Sequence, residues 1–235
     1  MTRAAWLIDL GRQDYAEVWD FQKGLVAERI RERVPDALVL VEHPPVVTLG
    51  RHRQPDAFTA LAPDWDVPVY EIERGGQATY HGPGQLVGYP ILKLAGERRD
   101  LHRYLRDLEA TLMDALADFG IPTQRSEGAT GVWTAGAPSR KLASIGIAVR
   151  RWVTYHGFAL NVATNLDDFR IISPCGFNPE VMTSMACELD RSVSLEEVKP
   201  AIRAHLEARF GLQLQARKMG GLDVSAVQHR VVSRD

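Results

Sequence analysis

The chain has 235 residues, of which 45% are hydrophobic and 25% charged, as in ordinary globular proteins and unlike disordered or collagen-like chains. Its 28 basic and 30 acidic residues nearly balance, which excludes the strong basic excess of a general nucleic-acid binder. It has only two cysteines and no stretch of about 18 apolar residues, which argues against a disulfide framework and a membrane span. We therefore expect a soluble cytoplasmic protein with no nucleic-acid or membrane partner.

The N-terminal part predicts a strand, a helix and two more strands. A short apolar run at residues 5–10 predicts the first strand. Asp14 is placed to cap a helix whose apolar residues recur at helical spacing and which ends before Pro35. Apolar runs at Ala37–Val41 and Val46–Leu49 then predict two buried strands.

The next part contains a loop, two strands and a second helix. Residues 50–66 are rich in Gly, Pro and Asp and predict a loop. Strands are predicted at Val69–Glu73 and Leu86–Leu92. A strongly amphipathic helix is predicted from Leu101 to Phe119, closed by the glycine and proline that follow.

The second half is richer in predicted strands. Three runs, Val132-Trp133, Leu142–Val149 and Trp152–Leu160, predict consecutive strands. Ser194 is placed to cap a third helix. No linker or repeat divides the chain, so we expect an α+β fold with a mixed β-sheet flanked by helices. Residues 1–215 are expected to form a single domain, and residues 216–235 a tail to which no structure is assigned.

A glycine-rich segment, Arg74–Gln85, follows the fourth predicted strand. Its four glycines allow the backbone to approach a ligand closely. The segment lacks the Lys-Ser/Thr pair of a P-loop, and Val87 stands where a dinucleotide-binding fingerprint needs its third glycine. On its own, the segment fits either a plain hairpin loop or a loop that binds something other than a nucleotide.

The second half also carries the candidate nucleophiles. Cys175 lies in an irregular Ser-Pro-Cys-Gly turn, whereas Cys187 precedes Glu188, whose carboxylate disfavours a thiolate. Cys175 is therefore the better candidate on local context. Lys141 and His156, each in an apolar strand, are by themselves more typical of a solvated lysine and a hydrogen-bonded core histidine. The two cysteines, twelve residues apart and without paired histidines, predict no metal site.

Several blocks of the sequence together resemble one family. They are Glu42–Arg51, Arg74–Gln85, Lys141–Gly146, His156–Val162 and Ser173–Gly176. In this order and with this long signature, the chain resembles the lipoyl(octanoyl) transferases of the biotin and lipoate protein ligase superfamily. The resemblance runs from about residue 38 to about residue 190 and leaves the two ends of the chain uncovered.

The resemblance implies a fold, a reaction and a site. The fold is that of biotin and lipoate protein ligase catalytic domains. The reaction transfers an octanoyl group from octanoyl-acyl carrier protein to a lysine of lipoyl domains, in 2-oxoacid dehydrogenase E2 subunits and the glycine cleavage H protein, without a cofactor. Cys175 is implied as the acyl-accepting nucleophile and Lys141 as its partner. The implied substrate pocket is formed by Arg74, Gly75, Gly76, Gln77, Ala78, Thr79, Tyr80, His81, Ser144, Ile145, Gly146, Gly157, Phe158 and Ala159.

This interpretation carries two finer expectations and leaves three alternatives. His81 is a candidate hydrogen-bond donor to the oxyanion, and Gly157 and Ala159 are small enough to leave room for the acyl chain. The alternatives are an ATP-dependent lipoate or biotin ligase, a non-catalytic acyl- or carrier-binding module, and a hydrolase in which His156 serves Cys175 as base. ATP dependence and the need for Cys175 distinguish the ligase from the transferase, and the binding module would bind the donor without forming a thioester. The family motif favours Lys141 over His156 as the base.

Overall fold

A computed structural model describes residues 2–52, 67–172 and 179–217. Within these ranges the strands are β1 (Arg3–Arg12), β2 (Asp36–Glu42), β3 (Val46–Leu49), β4 (Val69–Glu71), β5 (Ala78–His81), β6 (Gln85–Ile91), β7 (Thr123–Ser126), β8 (Ala129–Thr134), β9 (Lys141–Arg150), β10 (Val153–Asn161) and β11 (Leu212–Ala216). The α-helices are α1 (Tyr15–Ile30), α2 (Leu101–Ala117), α3 (Met185–Leu189) and α4 (Leu195–Phe210). None of these helices is both long and apolar enough to span a bilayer.

The main sheet has eight strands in the order β11-β1-β2-β6-β10-β9-β8-β7. Strand β1 pairs in parallel with β2 and β11, and the remaining neighbours pair antiparallel, so the sheet is mixed as predicted. A second sheet has the order β4-β3-β5. Its strand β5 is part of the glycine-rich segment Arg74–Gln85.

Helices cover both faces of the main sheet. In β2, Leu38 and Leu40 point into a core shared with α2 and α4, whereas Val39 and Val41 point into a core shared with α1. Side chains alternate between faces along a strand, so a strand buried on both faces needs an unbroken apolar run. This explains why the central strands were readily predicted from the sequence.

The helices begin where the sequence offers a cap. The side chains of Asp14 and Asp100 accept hydrogen bonds from the first backbone N–H groups of α1 and α2. Ser194 and Glu197 form a reciprocal capping box at the start of α4. Because these groups satisfy N–H donors that have no partner inside the helix, the starts of all three predicted helices are confirmed.

Four short elements were not predicted. Strands β5, β7 and β11 and helix α3 have four, four, five and five residues. The last strand pairs with β1, more than 200 residues away in sequence, and extends to Ala216. Strand β11 depends on a distant partner, and all four elements are too short to show a clear local pattern. Residues 218–235 of the expected tail lie outside the described residues.

Leu112→Ala is expected to lower the free energy of unfolding by about 2–5 kcal/mol, because Leu112 is fully buried between α2 and the main sheet. Leu101→Ala in the same helix provides the control, since Leu101 is 37% exposed and should change stability by about 0.5 kcal/mol or less. Urea titration of both variants measures the difference. Equal losses would show that α2 does not pack as described.

Candidate functional site

A cleft lies where β8 leaves β9. The two strands pair only at Val132 and Trp133 of β8, so much of this edge of β9 has no strand neighbour in the described part of the chain. The N–H of Gly131 donates instead to the buried Glu109 carboxylate, at 3.2 Å. The divergence leaves a cleft of about 460 Å³, bounded by β8, β9, β10 and the loop between β4 and β5.

Residues 73–77, here called the roof loop, close the cleft from above. Arg74 is only 8% exposed, and its Nη2 donates to the carbonyl and hydroxyl oxygens of Thr48, at 2.7 and 2.9 Å. The N–H of Gly75 donates to the carbonyl of Ile147 on the open edge of β9, at 2.9 Å. The roof loop is therefore fixed to both sheets, and its arginine is engaged in holding the loop rather than free to move.

Two glycines make this attachment possible. A Cβ on Gly146 would lie 2.8 Å from the carbonyl oxygen of Gly75, and one on Gly50 would overlap the carbonyl oxygen of Gly76. Any larger residue at either position would lift the roof loop from the sheet. The requirement for glycine at Gly146 therefore arises from backbone contact with the roof loop.

A similar constraint explains Gly157. A Cβ on Gly157 would overlap the carbonyl oxygen of Gly88 on the neighbouring strand β6. Gly88 in turn has no side chain because the Phe158 ring packs over it. Both Gly157 and Phe158 border the cleft, but the absent side chain of Gly157 is already required by the sheet. Space for an acyl chain is thus not the reason for this glycine.

Aromatic and imidazole rings form the inner end of the cleft. The Tyr15 ring lies 5.2 Å from His43 and 5.9 Å from His81 between ring centroids, and His43 accepts a hydrogen bond at Nε2 from the Tyr89 hydroxyl, at 2.9 Å. Burial lowers the pKa of His43 to about 4. Burial also lowers the pKa of His81 to about 3, and the nearby His43 and Arg74 add to this effect. Both imidazoles are therefore neutral near pH 7.

His156 is held in an unusual conformation beside the roof loop. Its φ of 53° lies in the left-handed region, which residues with side chains rarely adopt. Its Nε2 is buried, has no hydrogen-bond partner in the described ranges and lies 3.9 Å from the Glu73 carboxylate. Burial lowers the pKa of His156, against the opposing effect of Glu73. Partial burial raises the pKa of Glu73. The interaction with His156 and a backbone hydrogen bond outweigh this effect and lower the pKa to about 2.

Lys141 begins β9 and borders the cleft. Its Nζ lies 5.3 Å from the centroid of the Trp133 ring, and its side chain passes close to Gly131. Its carbonyl oxygen accepts a hydrogen bond from the N–H of Thr183, at 3.0 Å, next to a β-bridge between Lys141 and Met182. The backbone at Met182 and Thr183 therefore lies beside Lys141.

The two cysteines differ in what the structure says of them. Cys175 lies outside the described residues. Cys187 is exposed on α3, and its N–H donates to Ser184. The neighbouring Glu188 carboxylate accepts from Thr183 and pairs with Arg140, 2.8 Å away. This acidic neighbour of Cys187 is therefore paired with a cation, and the preference for Cys175 stays a prediction from the sequence.

The cleft brings together most of the predicted site residues. Those that border it are Arg74, Gly75, Gly76, Gln77, Ala78, Thr79, His81, Lys141, Ser144, Ile145, Gly146, Gly157, Phe158 and Ala159. Tyr80 is not among them. Its ring packs on Phe169 in a separate core, and its hydroxyl donates to Asp168 at 2.7 Å, so it supports β5 from behind.

Sequence reasoning did not identify several residues that also border the cleft. They are Tyr15, His52, Val87, Tyr89, Leu105, Gly128, Ala129, Thr130 and Ile147. His156, which the sequence suggested only as the base of a hydrolase, also borders the cleft. Tyr15 and Val87 fit the apolar pattern of core positions, which gave no signal for a site. Among the described residues, no three His, Cys, Asp or Glu side chains are arranged to hold a metal ion.

A family model matches most of the chain. Residues 14–207 correspond to the lipoyl protein ligase A/B catalytic domain. The chain belongs to this family.

Relatives within the family narrow the assignment. The octanoyltransferase of Gloeobacter violaceus is 49% identical over 210 residues, which cover 89% of this chain and 91% of that protein. The octanoyltransferase of Geobacter sulfurreducens is 48% identical over 198 residues, which cover 84% and 81%. This member of the family is therefore an octanoyltransferase-type acyltransferase.

A solved structure supports the fold. A lipoate-protein ligase A bound with ATP superposes with a TM-score of 0.76 at 15% identity, over 98% of this chain and 94% of that one. At this identity the likeness concerns the fold alone. It confirms the predicted mixed sheet flanked by helices and the expected ligase-like architecture.

Acidification is expected to destabilise this family member through its buried histidines. His43 and His81 stay neutral when folded but take up protons when unfolded, below about pH 6.5. Stability should therefore fall as the pH decreases from about 6.5 towards 4, by an amount on the order of 2 kcal/mol for each histidine. Urea titrations at several pH values would measure this loss.

A pair of substitutions separates the buried histidines from the general effect of acid. His43→Gln should reduce the dependence of stability on pH, whereas His102→Gln, at an exposed position of α2, should leave it unchanged. If both variants lost stability as steeply as the unmodified protein, the buried histidines would not be the source.

Proposed function

We propose that the chain transfers an octanoyl group from octanoyl-acyl carrier protein to a lysine of lipoyl domains, through a thioester on Cys175 and with Lys141 as proton acceptor. The acceptors are the lipoyl domains of 2-oxoacid dehydrogenase E2 subunits and the glycine cleavage H protein. Relatives that are 44–49% identical and are named octanoyltransferases support this reaction over that of the ATP-bound ligase, which is 15% identical.

One structural observation supports the pairing of Cys175 with Lys141. The bridge between Lys141 and Met182, with the Thr183 N–H bonded to the Lys141 carbonyl at 3.0 Å, fixes the chain seven residues after Cys175 at the first residue of β9. Ile172, three residues before Cys175, is buried in the core beneath the small sheet. A segment attached at both ends has a limited reach, and one end is attached at Lys141.

In the first half-reaction, Cys175 attacks the thioester of the carrier protein. A lysine ammonium favours the thiolate form of a nearby thiol, because it stabilises the negative sulfur. The thiolate adds to the octanoyl carbonyl, a new C–S bond forms, and the C–S bond to the carrier breaks. The carrier leaves as a thiol after taking one proton from the Lys141 ammonium, which leaves Lys141 neutral, and the octanoyl group remains on Cys175.

In the second half-reaction, the acceptor lysine attacks the acyl-enzyme. Its amino group must be uncharged, because an ammonium ion has no lone pair. Lys141 in its neutral form takes the proton that the amine loses as the C–N bond forms. The C–S bond to Cys175 then breaks and an amide is released. A thioester is converted into an amide, so the transfer is favourable without ATP.

The cleft fits the apolar part of this substrate. Its volume of about 460 Å³ lies in the range of small-molecule sites, and Val87, Leu105, Ile145 and Ala159 contribute apolar surface to it. Burying each methylene of the octanoyl chain contributes about 0.8 kcal/mol. The roof loop covers part of this surface, and exclusion of water there would favour transfer of the acyl group over hydrolysis of the thioester.

The thiol that carries the acyl group can be identified by mass. After incubation with octanoyl-acyl carrier protein without ATP, the unmodified protein should gain one octanoyl group, which a lipoyl domain then removes. Cys175→Ala should give neither adduct nor transfer, whereas Cys187→Ala, which changes the exposed cysteine of α3, should give both. Transfer that required ATP would favour the ligase, and donor binding without an adduct would favour the binding module.

Lys141→Met is expected to raise the pKa of the Cys175 thiol by about one unit or more, because the ammonium that favours the thiolate is removed. Iodoacetamide alkylation of Cys175, followed by mass at several pH values in a Cys187→Ala background, measures this shift. Lys199→Met is the control, because the Lys199 ammonium on α4 is paired with Asp9 and Glu196 and does not border the cleft. An unchanged alkylation profile in Lys141→Met would remove Lys141 from the mechanism.

A further inference from the structure

A buried chain of hydrogen bonds links His81 to the segment that follows Cys175. His81 Nδ1 lies 2.8 Å from Gln85 Oε1, and Gln85 Nε2 lies 2.9 Å from Asn161 Oδ1. Asn161 Nδ2 lies 3.0 Å from the carbonyl oxygen of Thr183. The N–H of Thr183 is bonded to Lys141. The three residues whose side chains form it, His81, Gln85 and Asn161, are each at most 6% exposed.

The direction of each bond in this chain can be deduced. The carbonyl of Thr183 can only accept, so Asn161 donates to it through Nδ2 and presents Oδ1 to Gln85. Gln85 must then donate through Nε2, which also reaches the carbonyl of Tyr80 at 3.3 Å. Its remaining atom, Oε1, is an acceptor and faces His81. His81 must therefore carry its proton on Nδ1.

This assignment determines what His81 offers to the cleft. A neutral imidazole holds one proton, so with Nδ1 protonated its Nε2 is a bare acceptor. His81 borders the cleft, and its Nε2 makes no hydrogen bond within the described ranges. Burial and the neighbouring His43 and Arg74 lower the pKa of His81, which keeps Nε2 unprotonated near neutral pH. His81 is thus unable to donate to an oxyanion in this state, contrary to the expectation from the sequence.

Among the substrates of the proposed reaction, the amine has the N–H groups that such an acceptor binds. The octanoyl chain has no donor, and its carbonyl oxygen is itself an acceptor. An amine that accepts a hydrogen bond loses the use of its lone pair, whereas one that donates to Nε2 keeps that lone pair directed elsewhere, towards the acyl carbon.

We propose that Gln85 and Asn161 are positioning residues that hold His81 in its Nδ1–H tautomer, so that Nε2 accepts a hydrogen bond from the attacking lysine amine. The inference rests on the proposed function for the identity of the amine. The proton that the amine loses still goes to Lys141, and His81 gains none. His81 orients the nucleophile while Lys141 removes its proton.

The tautomer can be measured directly in the unmodified protein. Long-range proton–nitrogen correlation spectra of histidine-labelled protein at pH 7 should show His81 with a protonated Nδ1 and a bare Nε2, the signal being assigned from its absence in His81→Gln. Gln85→Met removes the acceptor for Nδ1–H and should lose this pattern. A protonated Nε2 in the unmodified protein would overturn the inference.

The effect on the reaction is measured one step at a time. Gln85→Met and His81→Met should each slow transfer from preformed acyl-enzyme to a lipoyl domain by about tenfold, the effect of one hydrogen bond. The double variant should be no slower than either alone, because both substitutions remove the same acceptor. His81→Gln, which retains a side-chain acceptor, should recover part of the rate.

The matched control is Gln124→Met, the same substitution at an exposed position of β7. It should change neither the His81 spectrum nor the transfer rate. Losses that add in the double variant would indicate a general structural effect and contradict the inference. If the unmodified protein forms no acyl-enzyme, the proposed function is wrong. The His81 spectrum still tests the tautomer in that case.

Discussion

The site depends on one backbone contact, the hydrogen bond from the Gly75 N–H to the Ile147 carbonyl at the open edge of β9. An unpaired strand edge ordinarily invites another strand. Here β8 leaves the edge, Gly131 turns its N–H to Glu109, and the roof loop takes the vacated position. The same divergence that opens the cleft therefore supplies the attachment for its cover.

The glycines of the site are best understood from this attachment. Gly50 and Gly146 permit the roof loop to lie against backbone, and Gly157 permits β10 to lie against β6. A glycine-rich signature suggests close approach to a ligand, and in this protein much of the close approach is between parts of the chain itself. The shape of the cleft follows from these contacts before any substrate is bound.

The sequence was sufficient for elements whose signals are local. Asp14, Asp100 and Ser194 mark helix starts by their capping side chains, and β2 shows its burial as an unbroken apolar run. It was insufficient where a partner lies far along the chain. Strand β5 pairs with β3, and Tyr80, although part of the glycine-rich signature, faces a core rather than the cleft. The tautomer of His81 depends on Asn161, eighty residues later, which no local pattern indicates.

The fold is shared with an enzyme that binds ATP, so the architecture alone does not determine the chemistry. His81 on the border of this cleft and His43 beside it carry no charge near neutral pH, and the buried guanidinium of Arg74 is occupied with Thr48. Such surroundings have a low effective dielectric constant. A charge that approaches them interacts more strongly with its counter-charge than it would in water. A thiolate and an ammonium brought to this cleft would therefore influence each other's protonation over a longer distance than the same pair on the protein surface.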